Sequence, residues 1–134
     1  MRHRVTFAVA VVLASTLSCT TRPPTASPVD LTSFDGVRQV ALDHGLTCAA
    51  RGEVRGGASA QSCDGPGTTL NFVIGDGFDG VAYNGGTCVD RSHVHGWIWA
   101  GDGYWIALHY GGEAPSPDQM SLHDTLGVDA WCSS

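Results

Sequence analysis

The chain has 134 residues, 43% of them hydrophobic, and a formal net charge of −6 from thirteen carboxylates against seven basic residues, all arginine. An acidic chain without a single lysine repels phosphate backbones, which argues against nucleic-acid binding. Five cysteines in so short a chain point to an oxidising compartment.

Met1 to Arg4 carries two arginines, and Val5 to Leu17 follows as an apolar run broken only by small polar side chains, the charged and apolar regions of an export signal. The run falls short of the roughly 20 residues that span a hydrocarbon core. It ends in Thr-Leu-Ser-Cys at residues 16–19. That tetrapeptide resembles the bacterial lipobox, in which two apolar or small residues and then Gly, Ala or Ser precede the lipid-bearing cysteine. The resemblance implies a signal over residues 1–18, lipid attachment at Cys19, and a chain held at the outer face of the cytoplasmic membrane. Cleavage by ordinary signal peptidase, with Thr16 and Ser18 as the small residues, would instead release a freely secreted chain. Cysteine parity favours the anchor, because lipidation of Cys19 leaves Cys48, Cys63, Cys88 and Cys132 for two disulfides. Loss of Arg2 and Arg4 with the signal takes the formal charge from −6 to −8.

Residues 19–30 hold three of the six prolines and no apolar periodicity. At about 3.1 Å per residue in its proline-rich parts, this tether holds a domain roughly 30 Å from the bilayer. Residues 31–134 suffice for one small core, which two disulfides would reinforce.

Leu31 to Cys48 predicts a helix of about eleven residues. Phe34, Val37, Val40 and Ala41 recur at helical spacing, Thr32 or Ser33 can cap it, and Gly45 suits a left-handed stop. A glycine-rich segment, Ala-Arg-Gly-Glu-Val-Arg-Gly-Gly-Ala-Ser-Ala-Gln, follows between two expected strands. Thr68 to Ile74 and Gly80 to Tyr83 read as strands flanking Gly75-Asp76-Gly77, and His93 to Ala100 and Tyr104 to Tyr110 as strands flanking Gly101-Asp102-Gly103. The two Gly-Asp-Gly segments, 26 residues apart and each followed by an aromatic residue, have the outline of a duplicated hairpin. Ser116 and Gln119 form a capping-box pair, Pro117 takes the first helical position and Gly127 stops a second short helix. The expected fold is α+β: a small antiparallel sheet with short helices on one face and two disulfides. Of the three possible cysteine pairings we favour Cys48 with Cys63, closing the glycine-rich segment, and Cys88 with Cys132, pinning the C-terminal tail.

Register matters most in His-Val-His-Gly-Trp-Ile-Trp-Ala-Gly-Asp-Gly-Tyr-Trp-Ile-Ala-Leu-His-Tyr, residues 93–110. A two-residue Asp-Gly turn would mix Trp97 and Trp99 with Ile106 and Leu108. A three-residue loop with Gly103 left-handed pairs Ala100 with Tyr104 instead, collecting Val94, Ile98, Ile106 and Leu108 on one face. His93, His95, Trp97, Trp99, Trp105 and His109 then share the other. The coherent aliphatic face favours the second register.

The helix ending in Gly-Leu-Thr-Cys, a second cysteine fifteen residues on, the apolar strand to Ile74 and the later Gly-Asp-Gly-Tyr-Trp-Ile strand together resemble small lipid-anchored cell-envelope proteins of high-GC Gram-positive bacteria. That resemblance implies an address and no assigned activity. Cys-Asp-Gly-Pro-Gly-Thr-Thr-Leu-Asn-Phe and Gly-Trp-Ile-Trp-Ala-Gly-Asp-Gly-Tyr-Trp-Ile-Ala-Leu are similar, more faintly, to strands of membrane-bound inhibitors of C-type lysozyme, which implies an inhibitor as a further alternative.

No Gly-x-Ser-x-Gly elbow, P-loop or unpaired nucleophilic cysteine is present in the expected domain, so no catalytic residue is assigned and a non-catalytic role is expected. Asp76-Gly77-Phe78-Asp79-Gly80 echoes a calcium loop but lacks its alternating ligands and terminal Glu. His93, His95 and His109 on one face could ligate zinc or copper, which makes a metal-binding lipoprotein the alternative; no metal or other cofactor is assigned. The favoured reading is a monomeric, membrane-tethered protein that binds an envelope protein or glycan through Trp97, Trp99, Trp105, His93, His95 and His109.

Overall fold

The computed structural model describes residues 29–88 and 95–133. The expectations placed on the signal, on Cys19, on residues 20–28, on His93 and on Val94 lie outside these residues. In chain order the elements are α1 (Phe34–Asp43), β1 (Thr47–Cys48), β2 (Gly52–Val54), β3 (Ala58–Gly65), β4 (Thr68–Asp79), α2 (Gly80–Tyr83), β5 (His95–Tyr110), α3 (Pro117–Leu126) and β6 (Cys132–Ser133). The architecture is α+β. One antiparallel sheet has the order β1-β3-β4-β5-β6, and β2 lies beside β1 on the outer edge of β3.

Local chemistry explains both longer helices. Ser33 caps α1, its Oγ accepting the Gly36 N–H at 3.1 Å, and Val37, Val40 and Ala41 are buried on one face. Gly45, at φ 78°, stops the helix, and the Leu46 N–H returns to the Ala41 carbonyl at 3.0 Å. Ahead of α1, the Thr32 hydroxyl and N–H both donate to Asp30 and hold its carboxyl below the ordinary carboxylate range. The capping box of α3 is complete: Ser116 Oγ accepts the Gln119 N–H at 3.2 Å, and Gln119 Oε1 accepts the Ser116 N–H at 2.7 Å. Gln119 Nε2 also donates to the Gly67 carbonyl and to Thr68 Oγ1, joining α3 to the β3–β4 turn.

Both helices cover one face of the sheet. Val37, Val40 and Ala41 of α1 and Leu122 and Leu126 of α3 pack with Cys63, Leu70, Phe72, Ile74, Ile106 and Leu108 in one cluster. The strand pairing lines these residues up, with Leu70 opposite Cys63 and Leu108, and Phe72 opposite Gln61 and Ile106. The other face carries a smaller cluster of Ile98, Ala107 and Cys132, with Ala100, Trp105 and Trp131 against it.

Cys48 is bonded to Cys63, its cross-strand partner, and Cys88 to Cys132. These are the favoured pairings, and the second fastens β6 beside Trp97 and Ile98 of β5.

Three expectations are corrected. Gly80 to Tyr83 is a helical turn, not a strand: the Asp79 carboxylate accepts the Ala82 N–H at 3.0 Å. β4 runs through Gly75-Asp76-Gly77 with an irregularity between Ile74 and Asp79, so this segment is no hairpin turn and the two Gly-Asp-Gly segments are not duplicated hairpins. The third correction is the register of β5, which folds back on itself about Asp102-Gly103. Gly101 lies against Tyr104, Gly96 lies against Leu108 and His109, and Gly103 has φ 90°. The realised arrangement is the one that mixes Trp97 and Trp99 with Ile106 and Leu108.

Candidate functional site

The β5 register decides which aromatic groups can meet a ligand. Trp99 is 3% exposed, and its indole N–H donates to the Gly127 carbonyl at 3.0 Å, just past the end of α3. The Trp97 ring sits 4.5 Å from that of His123 and 5.3 Å from that of Tyr110. His123 belongs to α3, is itself buried, and shares its Nδ1 with Asp124 at 2.8 Å. Trp97 and Trp99 are therefore packed under α3. The expected single face of tryptophans and histidines is divided, since one-residue slippage in a strand sends each side chain to the opposite face.

His95 follows Trp97 to the helix-covered face, its ring stacked 5.7 Å from that of Tyr110. His109, paired with Thr69 of β4, alternates with Leu108 and lines the opposite face together with Cys88, Ile98 and Cys132. The two histidines thus lie on different faces of the sheet. Among the described residues, no three His, Cys, Asp or Glu side chains are grouped to hold a metal. The two Gly-Asp-Gly segments do meet at one end of the sheet, where Asp76, Asp79 and Asp102 border a cavity with Thr32.

Trp105 alone of the three expected tryptophans faces away from α1 and α3, and it borders a shallow groove of about 440 Å³. The floor is sheet: Ala60 and Ser62 of β3, with Asn71 and Val73 of β4. Small residues Ala49, Ala50 and Gly52 form one rim. Tyr83 of α2 forms the opposite rim with its side chain half exposed.

The aromatic wall is held before any ligand arrives. Tyr83 meets Trp105 edge-to-face at 5.1 Å, and the Phe78 ring is tilted against it at 5.4 Å. The Trp105 indole N–H donates to Asn84 Oδ1 at 3.1 Å, and Asn84 Nδ2 donates to the Thr87 carbonyl at 2.9 Å. Asp79 positions the wall by capping α2, and Gly80 lets α2 sit directly against the Tyr104 carbonyl, where a Cβ would collide.

Among the described residues, no side chain lining the groove carries a charge at neutral pH. Arg51, between the rim residues Ala50 and Gly52 in sequence, is directed elsewhere, with its guanidinium 4.0 Å above the Phe34 ring and bonded to Ser59 Oγ at 2.7 Å. Asn71 and Ser62 make no side-chain hydrogen bond within the described residues, so both offer donors and acceptors at the groove surface.

Tyr83, Asn71 and Ser62 were not among the residues expected from the sequence. Alternation in Thr68 to Ile74 places Asn71 opposite the apolar Leu70 and Phe72 and could have marked its face. Tyr83 had no such signal, because its exposure depends on α2 being helical.

Comparison with known proteins finds no matching family model, no matching curated protein and no matching solved structure. Among the described residues, no helix is long and apolar enough to cross a membrane.

Proposed function

We propose that this chain is a lipid-anchored, non-catalytic binding protein of the cell envelope, attached through Cys19 at the outer face of the cytoplasmic membrane. Its ligand-binding surface on this reading is the groove between Tyr83 and the β2–β3 edge. The observation that carries the binding role is the aromatic wall of half-exposed Tyr83 and partly buried Trp105 along the groove, held by Phe78 and Asn84. Concave sites that mix aromatic surface with a few convergent polar groups are the usual form of a small-ligand pocket.

The address rests on the N-terminal pattern together with cysteine parity. Cys48, Cys63, Cys88 and Cys132 are consumed in two bonds, which leaves Cys19 as the odd cysteine of the chain. A cysteine bearing more than one acyl chain supplies the two-signal strength that stable membrane attachment requires.

Intact mass of the protein recovered from a bacterial membrane fraction tests the address. A chain beginning at Cys19 with a lipid increment, lost in Cys19→Ser with release to the medium, is expected. An unmodified chain with another N-terminus overturns it. The binding role is tested by Tyr83→Ala, which is expected to weaken ligand engagement about tenfold or more while the circular dichroism spectrum is unchanged.

A further inference from the structure

We infer that the groove takes a neutral saccharide, stacked on the Tyr83–Trp105 wall and hydrogen-bonded through Asn71 and Ser62. This rests on the groove being the ligand-binding surface, and it names the chemistry of what enters. A sugar ring has one face of C–H groups, which packs on an aromatic ring, and a rim of hydroxyls, each both donor and acceptor. The groove presents the complement of both. Tyr83 and Trp105 supply the ring surface, Asn71 supplies an amide with donor and acceptor ends, and Ser62 supplies a hydroxyl.

Charge excludes the main competitors. A phosphorylated or carboxylated ligand would find no cation among the described lining residues, since Arg51 is turned onto Phe34 and bonded to Ser59, in a chain of net charge −6. A basic peptide would find no carboxylate among the lining residues. A neutral polyol pays neither desolvation penalty, because burying an unpaired charge costs far more than burying hydroxyls that meet partners. The volume of about 440 Å³ lies in the range of small-ligand sites, roughly 300–1,000 Å³.

Fixed rings strengthen the reading. Trp105 is oriented by its bond to Asn84, and Asn84 by its bond to Thr87, so the stacking surface is not assembled by the ligand. Preorganisation lowers the ordering cost that otherwise weakens binding.

The test is titration of the purified mature protein with neutral chitotetraose and mannotetraose, and with anionic tetragalacturonate as the contrast. Two-dimensional NMR would follow the Asn71 side-chain amide and the Trp105 indole N–H. At least one neutral probe is expected to shift both signals saturably, and Tyr83→Ala is expected to weaken that binding about tenfold or more. Tyr83→Phe, which keeps the ring, is expected to stay within about threefold. Because Tyr83 is half exposed, the alanine variant keeps its fold, which the dispersion of its own spectrum verifies.

Absence of any shift with both neutral probes at about 10 mM, a free-energy floor of only a few kcal/mol, overturns the saccharide. Equal binding of tetragalacturonate at the same residues overturns it too. If a protein ligand instead shifts Asn71 and Trp105 and is lost in Tyr83→Ala, the groove stands as the binding surface and only the saccharide falls. Saccharide binding that leaves Asn71, Trp105 and Tyr83→Ala unaffected overturns both.

Discussion

The Trp99 indole N–H donates to the Gly127 carbonyl at 3.0 Å across 28 residues of sequence. It joins the first arm of β5 to the end of α3, where the carbonyl has no helical partner of its own. Trp99→Phe keeps an aromatic ring in the 3%-exposed site and removes the bond. A loss of about 1–2 kcal/mol in urea unfolding is expected, the cost of a partly buried carbonyl left without its donor.

The tryptophans and Tyr83 separate into two groups by consequence. Trp99→Ala opens the core beneath α3 and should cost about 3–5 kcal/mol, with loss of near-ultraviolet dichroism. Tyr83→Ala acts on a half-exposed rim and should change the melting temperature by no more than a few degrees, consistent with a surface change of about 0.5 kcal/mol. A larger loss at Tyr83 than at Trp99 would refute the placement of the two rings.

Gly96 is required by close approach. A Cβ there would strike the Leu108 carbonyl and crowd the His109 backbone. Gly96→Ala is expected to force the two arms of β5 apart and to destabilise by roughly 3 kcal/mol or more, in the upper tail of single substitutions. Gly56→Ala is a useful contrast: no atom beyond its chain neighbours lies within 4 Å of the added Cβ, and the strain there is confined to the positive φ of 92°.

Gln119 does more than complete a capping box. Its amide accepts from the Ser116 N–H and donates to the Gly67 carbonyl and Thr68 Oγ1. Gln119→Ala should therefore cost about 2–3 kcal/mol, from several hydrogen bonds near 1 kcal/mol each. Ser116→Ala, which removes one cap acceptor, should cost about 1 kcal/mol. Chemical denaturation of the two variants checks the order.

The disulfides should differ in weight. Cys88–Cys132 closes 44 residues of separation and Cys48–Cys63 closes 15. Chain entropy assigns about 4 kcal/mol to the longer loop and about 3 kcal/mol to the shorter. The double variant Cys88→Ser/Cys132→Ser should also free β6, exposing Ile98 and Ala107 on the grooved face. Increased binding of a hydrophobic dye, together with the larger drop in melting temperature, is the expected result.

The sequence by itself determined the elements whose signals are local. Ser33 and Gly45 bound α1, and Ser116, Pro117, Gln119 and Gly127 bound α3, because caps act within one turn of the residues that carry them. The α+β class and the two cysteine pairings were also legible, the first pairing because Cys48 and Cys63 flank a segment that must turn back. The register of β5 was not. Trp97 and Trp99 are apolar at odd positions, Ile98 at an even one, and beyond the turn Ile106 and Leu108 oppose Trp105 and Ala107. A strand apolar on both faces carries no alternation by which a one-residue slip could be rejected. Only tertiary packing chose between the two. His123 and Gly127, at the end of α3, take Trp97 and Trp99 on one side, while Cys132 and Trp131 take Ile98 on the other. That choice moved Trp99 into the core, laid the partly buried Trp97 against it, and left Trp105, beside a tyrosine supplied by a helical turn, at the surface of the groove.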